Sequence, residues 1–177
     1  MDDLKILMFL RRIRISLTIW PSGREWLLAA VVGAVALSVE LTIGLAGGFL
    51  RPATADWSML WWSLPLALIV PSLGEELVFR GLLVPGREAR GSAWWTILLS
   101  TAMFVVWHVF QALTFMQAAA PIFLRPDFLA TTAVLGLACG WLRHRTGSLW
   151  PAVALHWLEV AGWQIWFGGG EAARALV

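Results

Sequence analysis

The sequence is poor in charged side chains and has a single cysteine. Only 14% of its 177 residues are Asp, Glu, Lys or Arg, whereas 59% are hydrophobic. Soluble domains usually carry about 25% charged residues, so this composition excludes an ordinary soluble domain and indicates an integral membrane protein. The single cysteine, Cys139, excludes disulfide bridges within the chain and any Cys-x-x-Cys zinc or redox motif.

The sequence also lacks a basic tract, an internal repeat and a low-complexity segment. With a net charge of only +2, it offers no surface for nucleic acid, and the lipid bilayer is its expected environment.

The predicted fold is all-α: one polytopic transmembrane helical bundle formed by residues 25–177. Residues 1–24 are basic and amphipathic, and they are predicted to form an interfacial helix. A signal peptide fits poorly there because arginines interrupt the apolar stretch.

About five apolar stretches are predicted to be membrane spans, at residues 26–50, 59–84, 93–116, 128–142 and 149–167. Basic residues are concentrated before the first span and in alternate loops, which predicts a cytoplasmic N-terminus. Pro65 and Pro71 predict a kink in the second span. The linker at residues 118–127 is ambiguous and could dip into the membrane, and Asp127, which follows Pro126, is predicted to be a helix N-cap.

A group of charged residues interrupts the second span. A carboxylate at membrane depth costs at least ~2.5–3.5 kcal/mol on insertion scales, so Glu75, Glu76 and Arg80 indicate a function. Four residues apart on a helix, Glu76 and Arg80 can form a structural pair. Glu75 points about 100° away from Glu76 and has no arginine at that spacing, which leaves it free for chemistry. The simpler alternative, a helix end at the water interface, conflicts with the apolar run that continues through residues 77–84.

Polar residues in other spans could join Glu75 in a shared pocket. Glu40 lies in the first span, His108 in the third, and His156 and Glu159 in the fifth. A carboxylate and two imidazoles can activate a water by general base catalysis and stabilise the resulting oxyanion. The same three groups, Glu75, His108 and His156, are also a known zinc ligand set, so a zinc-dependent hydrolase is an alternative.

The chain contains thirteen tryptophans. Several lie near predicted span ends, where aromatic belts are expected. Trp107 and Trp157 flank the two histidines, and packing is their predicted role.

Three short motifs follow one another along the chain. GEELVFRG, at residues 74–81, resembles an EExxxR motif, and FVVWH, at residues 104–108, resembles an FxxxH motif. Residues 135–160 resemble a glycine-rich helix that ends in a basic turn and leads to a histidine, His156. Together, over about residues 66–160, they resemble the CAAX-protease and bacteriocin-processing family (CPBP, also ABI), which are glutamic-type intramembrane proteases.

The resemblance implies an intramembrane endopeptidase that needs no cofactor. Glu75 and His108 would activate a water, and His156 would help to hold the oxyanion. The substrate would be a membrane-anchored protein or one whose C-terminal tail is processed, such as a CAAX tail or a sorting signal. Twelve arginines against one lysine are associated with GC-rich bacterial genomes, which favours the bacterial inner (plasma) membrane as the location.

The structural residues expected around this site are Glu76, Arg80 and Phe104, the last of which begins the FxxxH motif. One position departs from the family pattern, because Val160 stands where an asparagine is usual, and valine cannot donate a hydrogen bond. Glu159, on nearly the same helix face as His156, is therefore predicted to be a fourth catalytic residue. It would either donate to the oxyanion in its protonated form or orient the His156 ring.

Other protease chemistries fit the sequence poorly. There is no HExxH motif for a zinc protease, no GxSG-like serine paired with a histidine in a span, and no aspartate inside the predicted spans. Two non-catalytic alternatives are a proton-coupled transporter subunit and an immunity scaffold. The transporter predicts paired repeats, which are absent from the sequence, and Val160 is the only support for the scaffold.

Overall fold

The computed structural model describes residues 2–87 and 92–174, and within these ranges the protein is all-helical without a strand, which confirms the predicted class. Its α-helices are α1 Asp2–Thr18, α2 Gly23–Gly47, α3 Ser63–Ala67, α4 Trp94–Leu113, α5 Ala120–Phe123, α6 Pro126–Thr146, α7 Trp150–Trp166 and α8 Gly169–Arg174. Short 3₁₀ turns form at Trp57–Leu60 and Gln117–Ala119. Two π-helical segments, Leu68–Glu75 and Leu77–Leu82, continue α3, and residues 63–82 are called the motif helix below.

Two helices in the described part of the chain, α2 and α4, are long and apolar enough to cross a bilayer. Residues 117–123 and α6 meet at 85° and would supply a third span if the bent pair counts as one. This bend lies at the linker that the sequence left ambiguous. The outer face of α2 carries exposed Leu27, Val31 and Val35, as expected of a helix in lipid. The predicted number of five spans stays a prediction, since α7 has only 17 residues and the motif helix is irregular.

Helix α6 is the centre of the bundle and packs against α2, α4 and α7. Its glycines allow the close approach to α4. A Cβ added at Gly136 would lie 2.8 Å from Thr101 Cγ2, and one at Gly140 would lie 2.9 Å from Ile97 Cγ2. Helix α4 also contacts the second π-helical segment of the motif helix, and the Phe104 ring on α4 lies 5.7 Å from the His156 ring on α7.

Helix α1 packs against the end of the bundle where the motif helix ends and α7 begins. It contacts the second π-helical segment of the motif helix. The Leu149 backbone N–H donates to Ser16 O at 2.9 Å, and Trp150 Nε1 donates to Leu17 O at 3.0 Å. Helix α1 covers residues 2–18, and the interfacial amphipathic helix predicted for residues 1–24 stays a prediction.

The motif helix is wound as a π-helix around Pro71. Proline has no N–H to donate, and its ring collides with the carbonyl four residues earlier, so a regular α-helix is unfavourable here. The wider winding begins at Leu68 and relieves this conflict over the turn that carries the glutamates. The predicted irregularity at Pro71 is thus present. Pro65 lies in the first turn of α3, where proline is tolerated.

The predicted N-cap role of Asp127 is wrong. Helix α6 begins at Pro126, which fits the first helical position because its backbone has no N–H that needs a partner. Arg125 therefore occupies the cap position, and Asp127 lies in the first turn. The Asp127 carboxylate accepts from Arg125 Nε at 3.0 Å and from Arg125 Nη2 at 2.9 Å.

Candidate active site

The motif helix buries Glu76 and Arg80 completely. Arg80 Nη1 donates to Glu76 Oε1 at 2.9 Å, and both side chains are 0% exposed, which confirms the predicted pair. The Arg80 guanidinium also lies 4.2 Å from the ring centre of Phe104, where the electron-rich face attracts a cation. Phe104 is 0% exposed and its ring meets the edges of His108 and His156 at 4.7 and 5.7 Å between centroids. It therefore supports the arginine and both histidines.

Glu75 turns away from Arg80 and receives its hydrogen bonds from α4. Trp107 Nε1 donates to Glu75 Oε1 at 2.9 Å, and Gln111 Nε2 donates to the same oxygen at 3.4 Å. The other oxygen, Oε2, is buried and has no hydrogen-bond partner among the described residues. One oxygen is thus held in place while the other is available for a proton.

Trp107 and Gln111 are the polar contacts that sequence reasoning missed. It assigned Trp107 a packing role and did not consider Gln111. Their spacing carried a usable signal, because residues 107 and 111 are one helical turn apart and both adjoin the face of His108. A tryptophan N–H and an amide at that spacing could have been read as donors for a buried carboxylate.

His156 lies between the two glutamates. Its Nδ1 is 3.1 Å from Glu76 Oε1, and its Nε2 is 4.0 Å from Glu75 Oε2. Since a carboxylate only accepts, the hydrogen-bond network assigns the proton to Nδ1, which directs Nε2 towards Glu75. The sequence anticipated that His156 and Glu75 would converge. It did not foresee that Glu76 would bind both Arg80 and the histidine.

His108 is held by its own helix. Its Nδ1 lies 2.9 Å from Phe104 O, a carbonyl that can only accept, so Nδ1 carries the proton and Nε2 has the free lone pair. His108 is 9% exposed, and it is near enough to Glu75 for their charges to interact. The motif spacing explains the hydrogen bond between His108 and Phe104 O, because the i to i+4 step from Phe104 to His108 is one turn of helix.

A cavity of about 540 Å³ opens beside these groups. Its walls come from α2, α4, α6, α7, the linker and the motif helix, and most of them are apolar. The polar side chains that line it are Glu40, Glu75, His108, Gln111, Thr131, Thr132, His156, Glu159 and Gln164. The three helices expected to share a polar pocket, the motif helix, α4 and α7, line this one cavity, and α2 adds a fourth wall that carries the acidic Glu40.

Glu159 lines the same cavity but approaches Glu40 instead of the other candidates. The two residues face each other across the contact between α2 and α7, near enough for their charges to interact. Glu159 Oε1 has no other hydrogen-bond partner in the described part of the protein. Val160, at the position where the family pattern has asparagine, also lines the cavity. A donor role for Glu159 at an oxyanion stays a prediction.

The zinc alternative requires three ligands that converge on one point. Among residues 2–87 and 92–174, no group of three His, Cys, Asp or Glu side chains is arranged to hold a metal ion. The side-chain arrangement gives the zinc alternative no support, and metal independence itself stays a prediction.

Comparison with known proteins identifies one family. Residues 57–161, more than half of the chain, match the family described as type II CAAX prenyl endopeptidase, Rce1-like. The matched stretch includes the motif helix, α4, α6 and most of α7. It therefore contains Glu75, His108, His156 and Glu159, whereas Glu40 lies outside it. Neither a curated protein nor a solved structure matches the chain.

Proposed function

The chain belongs to the Rce1-like family of type II CAAX prenyl endopeptidases, and on that premise we propose that it cuts a peptide bond with a water activated by Glu75 and His108. The observation that carries this proposal is the 4.0 Å separation between Glu75 Oε2 and His156 Nε2. That gap is too long for a direct hydrogen bond. It is short enough for one water to contact both atoms, as ordered waters commonly do in polar sites.

Glu75 is arranged to act as the base. Trp107 and Gln111 satisfy Oε1, so the lone pairs of Oε2 remain for a proton. Glu75 Oε2, assisted by His108 Nε2, takes one proton from the water as its oxygen bonds to the substrate carbonyl carbon. This step forms a tetrahedral intermediate, and the former carbonyl oxygen carries the negative charge.

His156 is arranged to stabilise that charge. In its protonated form, Nδ1 donates to Glu76 and Nε2 donates to the oxyanion. Glu76 in turn is held by Arg80, so the ring does not need to reorient during the reaction. When the intermediate collapses, the carbon–nitrogen bond breaks, and the proton held by Glu75 passes to the leaving amine. The hydroxyl group of the water thereby ends on the new carboxyl group and its proton on the amine, as hydrolysis requires.

The substrate proposed here is the membrane-proximal, C-terminal part of a protein. The mostly apolar cavity suits a segment that leaves the bilayer or carries a lipid, and the family description names prenyl substrates. The proposed topology has five spans and a cytoplasmic N-terminus, in a bacterial inner membrane. Glu159 belongs to the wall of this cavity one helical turn beyond His156, where it meets Glu40.

The test is cleavage by the purified protein in detergent. A panel of farnesylated and unmodified peptides with CAAX tails is incubated with the parent protein and with Glu75→Gln, and the products are identified by mass spectrometry. The expected result is one defined cleavage by the parent protein and none by the variant, with equal folding judged by circular dichroism and gel filtration. Equal cleavage by both proteins would overturn the glutamate mechanism, and no cleavage of any peptide by the parent would overturn the substrate proposal.

A further inference from the structure

Glu40 is an acidic residue on an otherwise small-residue face. The buried positions of α2 fall on one side of the helix, and they are Ala29, Gly33, Ala36, Glu40 and Gly44. Glu40 is 6% exposed and is the only acidic residue among them. Acidic side chains inside a membrane span are costly and usually functional. The hydrolytic mechanism described above does not use this one.

Glu40 has an acidic partner from a different helix. Glu40 and Glu159 line the same cavity where α2 packs against α7, and they are near enough for their charges to interact. Oε1 of each residue is buried without another partner in the described structure. Two carboxylates cannot hydrogen-bond each other, because both only accept. The pair therefore needs either a shared proton or a cation between its oxygens.

The cavity around the pair contains unused acceptors, and the described residues that line it include no arginine or lysine. On another wall, Gln111 Oε1 also lacks a hydrogen-bond partner, although Gln111 is only 8% exposed and lines the same cavity. This is an independent observation from a helix that does not carry the pair. A ligand of this cavity must therefore supply donors.

Aromatic rings line the same cavity as the pair. Trp163 follows Glu159 by one turn of α7 and also lines the cavity. The Trp163 ring lies 6.3 Å from that of Phe128, which in turn lies 5.5 Å from Phe49. Aromatic faces attract guanidinium and ammonium groups, and carboxylates bind them through charge-assisted hydrogen bonds. A cavity lined by both a carboxyl pair and such rings is suited to a basic side chain.

We propose that Glu40 and Glu159, with Trp163 and Phe128, form a subsite that binds a lysine or arginine side chain of the protein substrate. The proposal rests on the proposed function. Glu159 is three residues beyond His156, or about 4.5 Å along α7, and an extended peptide advances about 3.3 Å per residue. The basic residue therefore lies one or two residues from the scissile bond. A terminal carboxylate is not expected in this part of the cavity, since it would meet two acceptors.

The first experiment measures binding, so that it does not depend on catalysis. Fluorescent peptides with a CAAX tail carry lysine, or norleucine as a neutral control of similar length, at each position on both sides of the tail cysteine. Their affinity for Glu75→Gln protein in detergent is measured by anisotropy. The expected result is ~10-fold or tighter binding of lysine at one position, the scale of a charge-assisted contact. Equal binding of the lysine and norleucine peptides at every position would overturn the proposal and favour a shared proton.

The second experiment assigns the preference to the carboxyl pair. Glu40→Gln and Glu159→Gln, each combined with Glu75→Gln, keep the size and polarity of the side chains and remove their charge. We expect them to abolish the lysine preference while norleucine peptides bind as before. Persistence of the preference in both variants would overturn the assignment to this pair. In the active parent protein, cleavage without any lysine preference would contradict the subsite and leave the proposed function intact. Lysine-selective binding without cleavage would support the subsite and contradict the proposed function.

Discussion

His156 Nδ1 lies 3.1 Å from Glu76 Oε1, the same oxygen that accepts from Arg80 Nη1 at 2.9 Å. One buried carboxylate therefore neutralises an arginine of its own helix and orients a histidine of another. The contact joins the motif helix to α7 and couples the stability of the bundle to the geometry of the candidate site. Loss of Glu76 should affect both.

The Glu76–Arg80 pair should be essential for stability. Glu76→Ala and Arg80→Ala each leave a fully buried partner charge without compensation, and the expected cost is ~3–5 kcal/mol. It can be measured from unfolding in mixed detergent or from thermal melting curves. Arg87→Ala is the matched control, because Arg87 pairs with Glu25 at 3.1 Å while 59% exposed, and such pairs contribute only ~0–1 kcal/mol. Arg80→Ala protein as stable as Arg87→Ala would contradict this prediction.

Trp107 should matter for catalysis more than for stability. Trp107→Phe keeps an aromatic ring but removes the N–H that donates to Glu75 Oε1 at 2.9 Å. A hydrogen bond to a charged group contributes ~1.5–3 kcal/mol, so we expect kcat to fall ~10-fold or more while KM changes little. The change should also shift the pH dependence of kcat, which a purely structural role would not do. Trp95→Phe is the control, because Trp95 lies on the same helix and is 83% exposed. Unchanged kcat in Trp107→Phe protein would show that Gln111 alone positions the glutamate.

Much of the site could be predicted because it depends on helical spacing. The step from Glu76 to Arg80 and that from Phe104 to His108 are each one turn, so the chain itself brings those residues together. Contacts between helices do not follow from spacing. The approach of Trp107 to Glu75 and that of Glu40 to Glu159 depend on how α4, α2 and α7 are rotated in the bundle.

The errors in the sequence interpretation have local causes. Pro126 serves equally well as the last loop residue or the first helical residue, and its position in the helix displaced Asp127 from the cap. Hydropathy also indicates where an apolar segment lies but not which type of helix it forms. It marked residues 59–84 as one apolar segment, but it could not show that residues 68–82 are wound as a π-helix around Pro71.

Gly136 should be required for the close packing of α6 on α4. Gly136→Ala would place a methyl group 2.8 Å from Thr101 Cγ2 and 3.2 Å from Arg80 Nη2. Both neighbours are buried, so we expect a loss of ~1–3 kcal/mol from overpacking. Gly162→Ala on α7 is the control, because a Cβ there meets no atom within 4 Å, and alanine is the better helix former by ~1 kcal/mol. Relative to the parent protein, the melting temperature should therefore fall in Gly136→Ala protein and rise in Gly162→Ala protein. A Gly136→Ala protein as stable as the parent would show that α4 can move away from α6.

Activity should not depend on a bound metal. In the described part of the chain, no three His, Cys, Asp or Glu side chains are arranged to hold a metal ion. Trp107 and Gln111 hold Glu75 Oε1, and Glu76 holds His156 Nδ1. The remaining atoms, Glu75 Oε2 and the two Nε2 atoms, are those that the proposed water and oxyanion would contact. We therefore expect full cleavage after prolonged dialysis against a strong chelator. Elemental analysis should then find metal in fewer than about 10% of the chains. A zinc metalloprotease treated in the same detergent serves as the control and should lose its activity. Stoichiometric zinc in the active protein, together with activity that disappears on chelation and returns on zinc addition, would favour the zinc-dependent hydrolase over the water activated by Glu75 and His108.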